Sequence, residues 1–420
     1  MKPLATAVVT TVLLILSLGC TPETGQGESG GEAGDSVRSA LAAPRAVDSP
    51  AGPGSAQPFL TTMRDGTLLM SWFQARTGSD GHALMISSFD GVAWSKASTI
   101  AEGKDFFVNW ADFPSVVETG DGRLVAHWLQ KSGTATYAYD VRVAQSVDGG
   151  ATWSESFVIH DDGTKTEHGF ASLVALPNGG VAALWLDGRL MSEGEESGPM
   201  TVRFAEFDAS GVLSQEAMLD AMTCECCQTA MVLTDAGLLA AYRDRSEGEV
   251  RDIAIVRRID DGWTEPKLLH ADGWKITGCP VNGPQMDARG RDVVIAWFTA
   301  AGEEARVNVA FSSDSGASFT PPMRIDGGSP KGRVDVVMLS DRSALVTWVE
   351  QREGVARVLG RHVGLDATMG EPFDPGGAGA STTAGFPRLA RTDDTLYAAW
   401  PEPGESGGVR LAAIPVVRKR

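Results

Sequence analysis

The sequence predicts an all-β propeller of four-stranded antiparallel blades, and three observations predict it. A unit of apolar strand, turn and second strand closing on an aromatic recurs seven times. The closing aromatics stand 51 to 57 residues apart, a period that signals an array and not a set of unrelated domains. A tight Asp/Gly turn returns at one fixed place inside the unit.

The first element precedes the repeats. Residues 1–19, MKPLATAVVTTVLLILSLG, join one early cation, Lys2, to an uncharged apolar run too short and too early for an ordinary spanning helix, and read as an export signal. The run ends in Leu-Ser-Leu-Gly before Cys20. This junction resembles the lipobox of bacterial lipoproteins, which implies lipidation of Cys20; a plain secretory signal is the other reading. Residues 20–55 are rich in Gly, Ser, Glu, Pro and Ala and too poor in large apolar side chains to offset chain entropy, so they read as a flexible tether reaching on the order of 30 Å. The expectation is a monomer, exported and lipid-anchored to a bacterial membrane, in the periplasm or at the cell surface. The formal charge of −18 argues against nucleic acid and against adsorption to anionic lipid, since both are polyanions.

Residues 56–420 carry the array. The first two segments are PFLTTMRDGTLLMSW, ending at Trp72, and FPSVVETGDGRLVAHW, ending at Trp128; the others close at Trp185, Tyr242, Trp297, Trp348 and Trp400. A variable loop follows most closing aromatics, then a third strand such as VRVAQS (141–146), a tight turn, and a fourth such as SESFVIH (154–160). Radial repetition of four strands leaves only short, protected sheet edges. The last unit runs out near Val416, and the stretch from Leu41 to Val47 is the candidate for its missing outer strand.

The third turn of the unit carries a pattern. SVDGGATW has Ser146, Asp148, Gly150 and Trp153 at the fixed positions of Ser-x-Asp-x-Gly-x-x-Trp; SSDSGASF repeats it with Asp314, Gly316 and Phe319. SFDGVAW (88–94) is one residue short, and DDGW (260–263) is a remnant. The Asp accepts turn amides, Gly takes the positive φ, and the aromatic packs between strands. This is the Asp box, and over roughly 57–415 the chain resembles the sialidase-like Asp-box superfamily. The resemblance implies a propeller, with six blades in sialidases against seven units here, and a glycosidase or sialidase-like activity on the face opposite the Asp boxes.

Parity places on that face Arg76, Trp110, Asp112, His168, Asp187, Arg189, Arg243, Asp244, Arg245, Trp274, Glu350, Arg352 and Arg388. Clustered arginines favour an anionic small ligand, and pairing of Arg with Asp between blades is the alternative. Trp110 and Trp274 are the tryptophans outside closing and Asp-box positions. Each either stacks on a sugar ring, making a glycan the ligand, or caps a blade end. The superfamily's sialidases bring an Arg-Ile-Pro arginine into the first inner strand, where this chain reads Gln57, Pro58, Phe59, Leu60. No tyrosine stands where the nucleophile transfers, so the catalytic residues are unknown. A non-catalytic docking scaffold is the reading from a different class.

Cys224, Cys226, Cys227 and Cys279 remain. An even number in an exported chain suggests disulfides. Eleven residues before the turn glycines Gly179, Gly237 and Gly290 stand His168, Cys226 and Cys279, so three equivalent blade entrances bring Cys and His together, a donor set that suits copper or zinc.

Overall fold

A computed structural model of the protein describes residues 39–191, 198–260, 262–340, 343–377, 383, 385–404 and 407–418. The leader expected over 1–19 and the lipidation expected at Cys20 lie outside them. Seven antiparallel sheets follow one another along the chain. Blade 1 runs Ser55–Thr62, Leu68–Ala75, His82–Phe89 and Ser98–Gly103 from the axis outward, and blades 2 to 5 repeat the order from Ser115, His168, Ala230 and Gln285. The seventh sheet is a blade of its own, so the repeat count holds against the six-bladed alternative. No helix among the described residues is long and apolar enough to cross a membrane.

Second strands decide the packing. Leu68–Ala75, Leu124–Lys131 and Val181–Asp187 each bury at least six consecutive residues, because neighbouring blades cover both sheet faces. The closing aromatics Trp72, Trp185, Tyr242, Trp297 and Trp348 are all 1 % exposed or less. Several indoles find a partner nearby: Trp185 Nε1 donates to Asp187 at 2.8 Å and Trp348 Nε1 to Glu350 at 2.9 Å.

Two blades depart from the four-strand expectation. In blade 6 the strands Pro330–Ser340, Ser343–Arg352 and Val355–Gly364 form a three-stranded sheet, and its outer edge is reduced to bridges at Met369 and Phe373. In blade 4 the outer strand is split into Gly262–Trp263 and Lys267–Leu268. Blade 7 closes the ring as expected. Ser39–Leu41 and Arg45–Val47 both pair with Val409–Arg418, with Leu41 opposite Val416 and Val47 opposite Leu411. Strand pairing at Ser39–Leu41 and Arg45–Val47 therefore lies inside the stretch that composition marks as tether.

The seven inner strands surround a cavity of ≈ 710 Å³. They do not pair with one another, and side chains stitch them instead. Asp112 of blade 2 accepts from the Phe170 amide of blade 3 at 2.6 Å, Asp287 from Met338 at 2.8 Å, and Asp335 from Leu389 at 2.7 Å. Near the axis Gln228 donates to the Ala111 carbonyl at 2.6 Å and accepts from the Gly283 amide at 2.9 Å. Each stitch satisfies a backbone group that no ladder reaches.

The two full Asp boxes superimpose in their bonding. Asp148 Oδ1 and Oδ2 accept the Thr152 amide and hydroxyl at 2.9 and 2.6 Å, and Asp314 accepts the Ser318 pair at the same two distances. The Thr152 hydroxyl and amide and the Ser146 hydroxyl hold Asp148 down to about 2. Gly150 and Gly316 take φ of 89° and 77°, where side chains are strained. Trp153 and Phe319 pack against the core of the preceding blade pair.

Candidate functional site

On the face opposite the Asp boxes lie the loops after each second strand and before each first strand. The arginines expected there are present and already engaged. Arg76 stands 3.5 Å from Glu102. Arg189 holds both oxygens of buried Asp187 at 2.8 and 2.9 Å and reaches Asp162 at 3.0 Å. Arg245 and Arg251 share Glu225 and Glu249. Arg352 stands 3.0 Å from Glu350, and Arg388 lies 3.6 Å over the Phe113 ring and 3.7 Å from Asp335. Of the two readings left open by the sequence, the geometry supports pairing, much of it inside one blade.

Arg243 needs a sharper correction. Its guanidinium is buried and donates to the carbonyls of Asn282, Arg251 and Phe298 at 2.8, 2.5 and 2.6 Å, so it ties blade 4 to blade 5 and does not face a ligand. It also lies over the Trp274 ring at 4.8 Å. Trp274 is 7 % exposed and edge-on to Phe298, which makes it a blade cap and not a platform. Asp112, buried as a ring stitch, leaves the ligand face as well. Asp244 stays half-buried, and burial together with Asp220 pushes its carboxyl up to about 6.

Trp110 differs: it is 46 % exposed. Phe386 of blade 7 stacks near it at 6.0 Å and 24°, and the Arg333 guanidinium of blade 6 lies 4.4 Å from its centre. That guanidinium is also 5.9 Å from the Phe386 ring. Partners on opposite faces of an indole stand nearly twice as far apart, so the two do not sandwich Trp110.

Beside it the sequence left a group unread. Tyr139 begins the third strand of blade 2, is fully buried, and stacks on Phe107 at 4.0 Å. Its hydroxyl donates to Glu167 Oε1 at 2.6 Å. Burial pushes Glu167 up to about 7 despite that bond, and burial with the Glu167 charge pushes Asp112 up to about 8. Gly169 permits the contact, because a Cβ there would stand 2.9 Å from the Tyr139 ring. A phenol this buried does not reach a sugar carbon. Glu167 is half-buried.

His168 does not join the cysteines. It starts the inner strand of blade 3 opposite Asp187, and its ring stacks on His160 at 3.7 Å between carboxylates of Asp140, Asp162 and Asp187. These carboxylates draw it between blades 2 and 3. The sequence signal was the run His160, Asp161, Asp162 just upstream.

The cysteines converge without His168, and all four are free thiols. The expected disulfides are not formed. Sulfurs of Cys224, Cys226 and Cys227 lie within 4.8 Å of one another, and Cys279 from the neighbouring blade faces Cys226. Burial works against ionising Cys224, yet hydrogen bonds from the other two thiols and the Cys226 amide, with Arg243 nearby, hold it well below the ordinary thiol range.

No protein-family model matches the sequence, and no curated protein matches it. Solved structures do. A protein of unknown function from Dyadobacter fermentans DSM 18053 is similar at 13 % identity, covering 91 % of this chain and 99 % of its own, with a TM-score of 0.50. The polysaccharide lyase Uly1 is similar at 11 % identity, covering 86 % and 90 %, with a TM-score of 0.51. The Hadza microbial sialidase Hz136 has 14 % identity over 70 % of this chain and 63 % of its own, at a TM-score of 0.43. By fold, the chain is a seven-bladed β-propeller with Asp-box turns between the third and fourth strands of blades 2 and 5.

Proposed function

We propose that the chain is an exported, lipid-anchored propeller that binds carbohydrate on the face opposite its Asp boxes. The observation that carries this reading is Trp110, a 46 % exposed indole flanked but not sandwiched by Phe386 and Arg333. A sugar ring presents an apolar face that a rigid indole matches at low entropic cost. Similarity to a polysaccharide lyase supports the ligand class. Sialidase activity is not part of the proposal, since the arginines that such chemistry needs are committed to Asp, Glu and backbone carbonyls.

A glycan array followed by calorimetric titration tests it, with Trp110→Ala and Trp274→Phe compared. Binding lost in the first variant and kept in the second supports the proposal; no glycan bound, or binding indifferent to Trp110, overturns it.

A second reading adds chemistry at half-buried Glu167, favoured by a carboxyl that burial pushes up to about 7. A group poised there serves as general acid or base near neutral pH. Release of reducing or unsaturated ends from bound glycan, with a pH profile that Glu167→Gln abolishes, is the expected result. Turnover unaffected by the substitution ends this reading.

A further inference from the structure

We propose that Cys224, Cys226 and Cys227 hold a single copper(I) ion at the entrance to blade 4. Three thiols within four residues are carried on a turn, and the chain direction is fixed on either side of it. The Cys224 amide donates to the Arg243 carbonyl at 3.0 Å and Gln228 bonds across the axis to Ala111. The loop is therefore built, not loose.

The geometry suits one ion. All three sulfurs lie within 4.8 Å of one another, and those of Cys224 and Cys226 are 3.9 Å apart. With metal–sulfur bonds of about 2.3 Å, three sulfurs in a plane around one ion stand about 4 Å apart. The observed triangle closes on an ion with small adjustments.

The donor set then selects the metal. It is all thiol, and soft sulfur donors favour copper(I). The imidazoles of His160 and His168 are turned into their own carboxylates and contribute nothing. Zinc in a closed site asks for four ligands. The one further cysteine among the described residues, Cys279, faces Cys226 from the neighbouring blade but stands outside the three sulfurs that all lie within 4.8 Å of one another.

Arg251 donates to the Cys224 sulfur at 3.5 Å, which favours negative charge there. Cys224 and Cys227 are 0 % and 2 % exposed, whereas Cys226 is half-buried and gives the ion a way in. Each copper–sulfur bond is made by a thiolate, so the protons still held by the cluster leave to solvent and no electron is transferred. Neither Trp110 nor Glu167 supplies a donor, so this site stands or falls apart from the carbohydrate reading.

The test is an anaerobic titration of the reduced full-length chain with copper(I) against a chromophoric copper(I) chelator, followed by X-ray absorption. One equivalent bound, with three sulfur neighbours at about 2.3 Å, is expected. Cys226→Ser should lower affinity at least ~100-fold while leaving thermal unfolding of the metal-free protein unchanged, and Cys279→Ser should change affinity only a few-fold. Preferential uptake of zinc that Cys279→Ser abolishes overturns the proposal in favour of a four-cysteine zinc site. Four blocked thiols as isolated, with no copper(I) uptake after reduction, overturns it in favour of disulfides.

Discussion

The Tyr139 hydroxyl of blade 2 donates to Glu167 of blade 3 at 2.6 Å, with the Asp112 carboxylate packed behind it. Three acidic groups from two blades thus share one largely buried spot. Burial, the largest of the forces on each, keeps all three protonated above their ordinary range. The arrangement couples a stitch of the ring to the half-buried Glu167 carboxyl.

The first prediction is a pH dependence of stability. Glu167 and Asp112 rise from 4.5 and 3.8 to about 7 and about 8. Their folded forms bind protons more tightly than the unfolded chain, so their contribution is full below pH 4 and is lost as pH climbs through 7 to 8. His127, lowered to about 4 by burial, contributes in the opposite sense below pH 6.5. Variant minus wild type therefore isolates the carboxyls. Glu167→Gln should unfold with a flatter pH profile between 5 and 8.5, the difference being on the order of 2 kcal/mol. Thermal unfolding across that window checks it, and parallel profiles refute it.

The second prediction separates two identical motifs. Gly150→Ala meets only positive φ, since the nearest atom to its new Cβ lies at 3.5 Å. Gly316→Ala meets positive φ and a Cβ 2.6 Å from Cδ2 of buried Leu239. The first should cost about 1 kcal/mol and the second about 1–3 kcal/mol more. Denaturant melts of the two variants give the comparison, and equal losses would show that Leu239 yields freely.

Much of the fold was legible because a propeller repeats one local rule. Each closing aromatic marks a strand buried on both faces, and each Asp box marks a third turn. Even the outer strand at Leu41 to Val47 followed from a unit that ran out early. The site was less legible, because parity tells which face a loop serves and not which way a side chain turns. Arg243 ends the second strand of blade 4 and Trp274 sits in a loop at the same face, but both turn into the wall between blades 4 and 5. His168 was matched to the cysteines by register alone, and carboxylates from blade 2 claim it instead. Tyr139 and Glu167 meet only across a blade boundary, which no spacing in the sequence records.

The third prediction follows from Arg243. Replacing it with Met leaves three carbonyls without donors, and burying an unsatisfied acceptor costs about 1–3 kcal/mol each before relaxation. Arg243→Met should therefore lower stability by several kcal/mol, while Arg352→Met, whose side chain is 48 % exposed, should cost less than about 1 kcal/mol. Chemical denaturation of both variants decides it; similar small losses would return Arg243 to the candidates for ligand contact.

The last prediction concerns ring closure. Val409–Arg418 ends the chain's own contribution to blade 7, and its outer edge is covered by Ser39–Leu41 and Arg45–Val47 from the N-terminal side. Without that cover, the last strand presents unpaired amides and carbonyls along an open edge. Trp94 Nε1 also donates to the Asp48 carbonyl at 2.7 Å, so the same segment anchors the short Asp box of blade 1. A chain beginning at residue 38 should keep the melting temperature of a chain beginning at residue 21. A chain beginning at residue 49 should melt lower and aggregate on heating, because closure couples the first and last blades. Light scattering during thermal unfolding of the three lengths reads this directly, and identical melts would mean that blade 7 is stable with three strands.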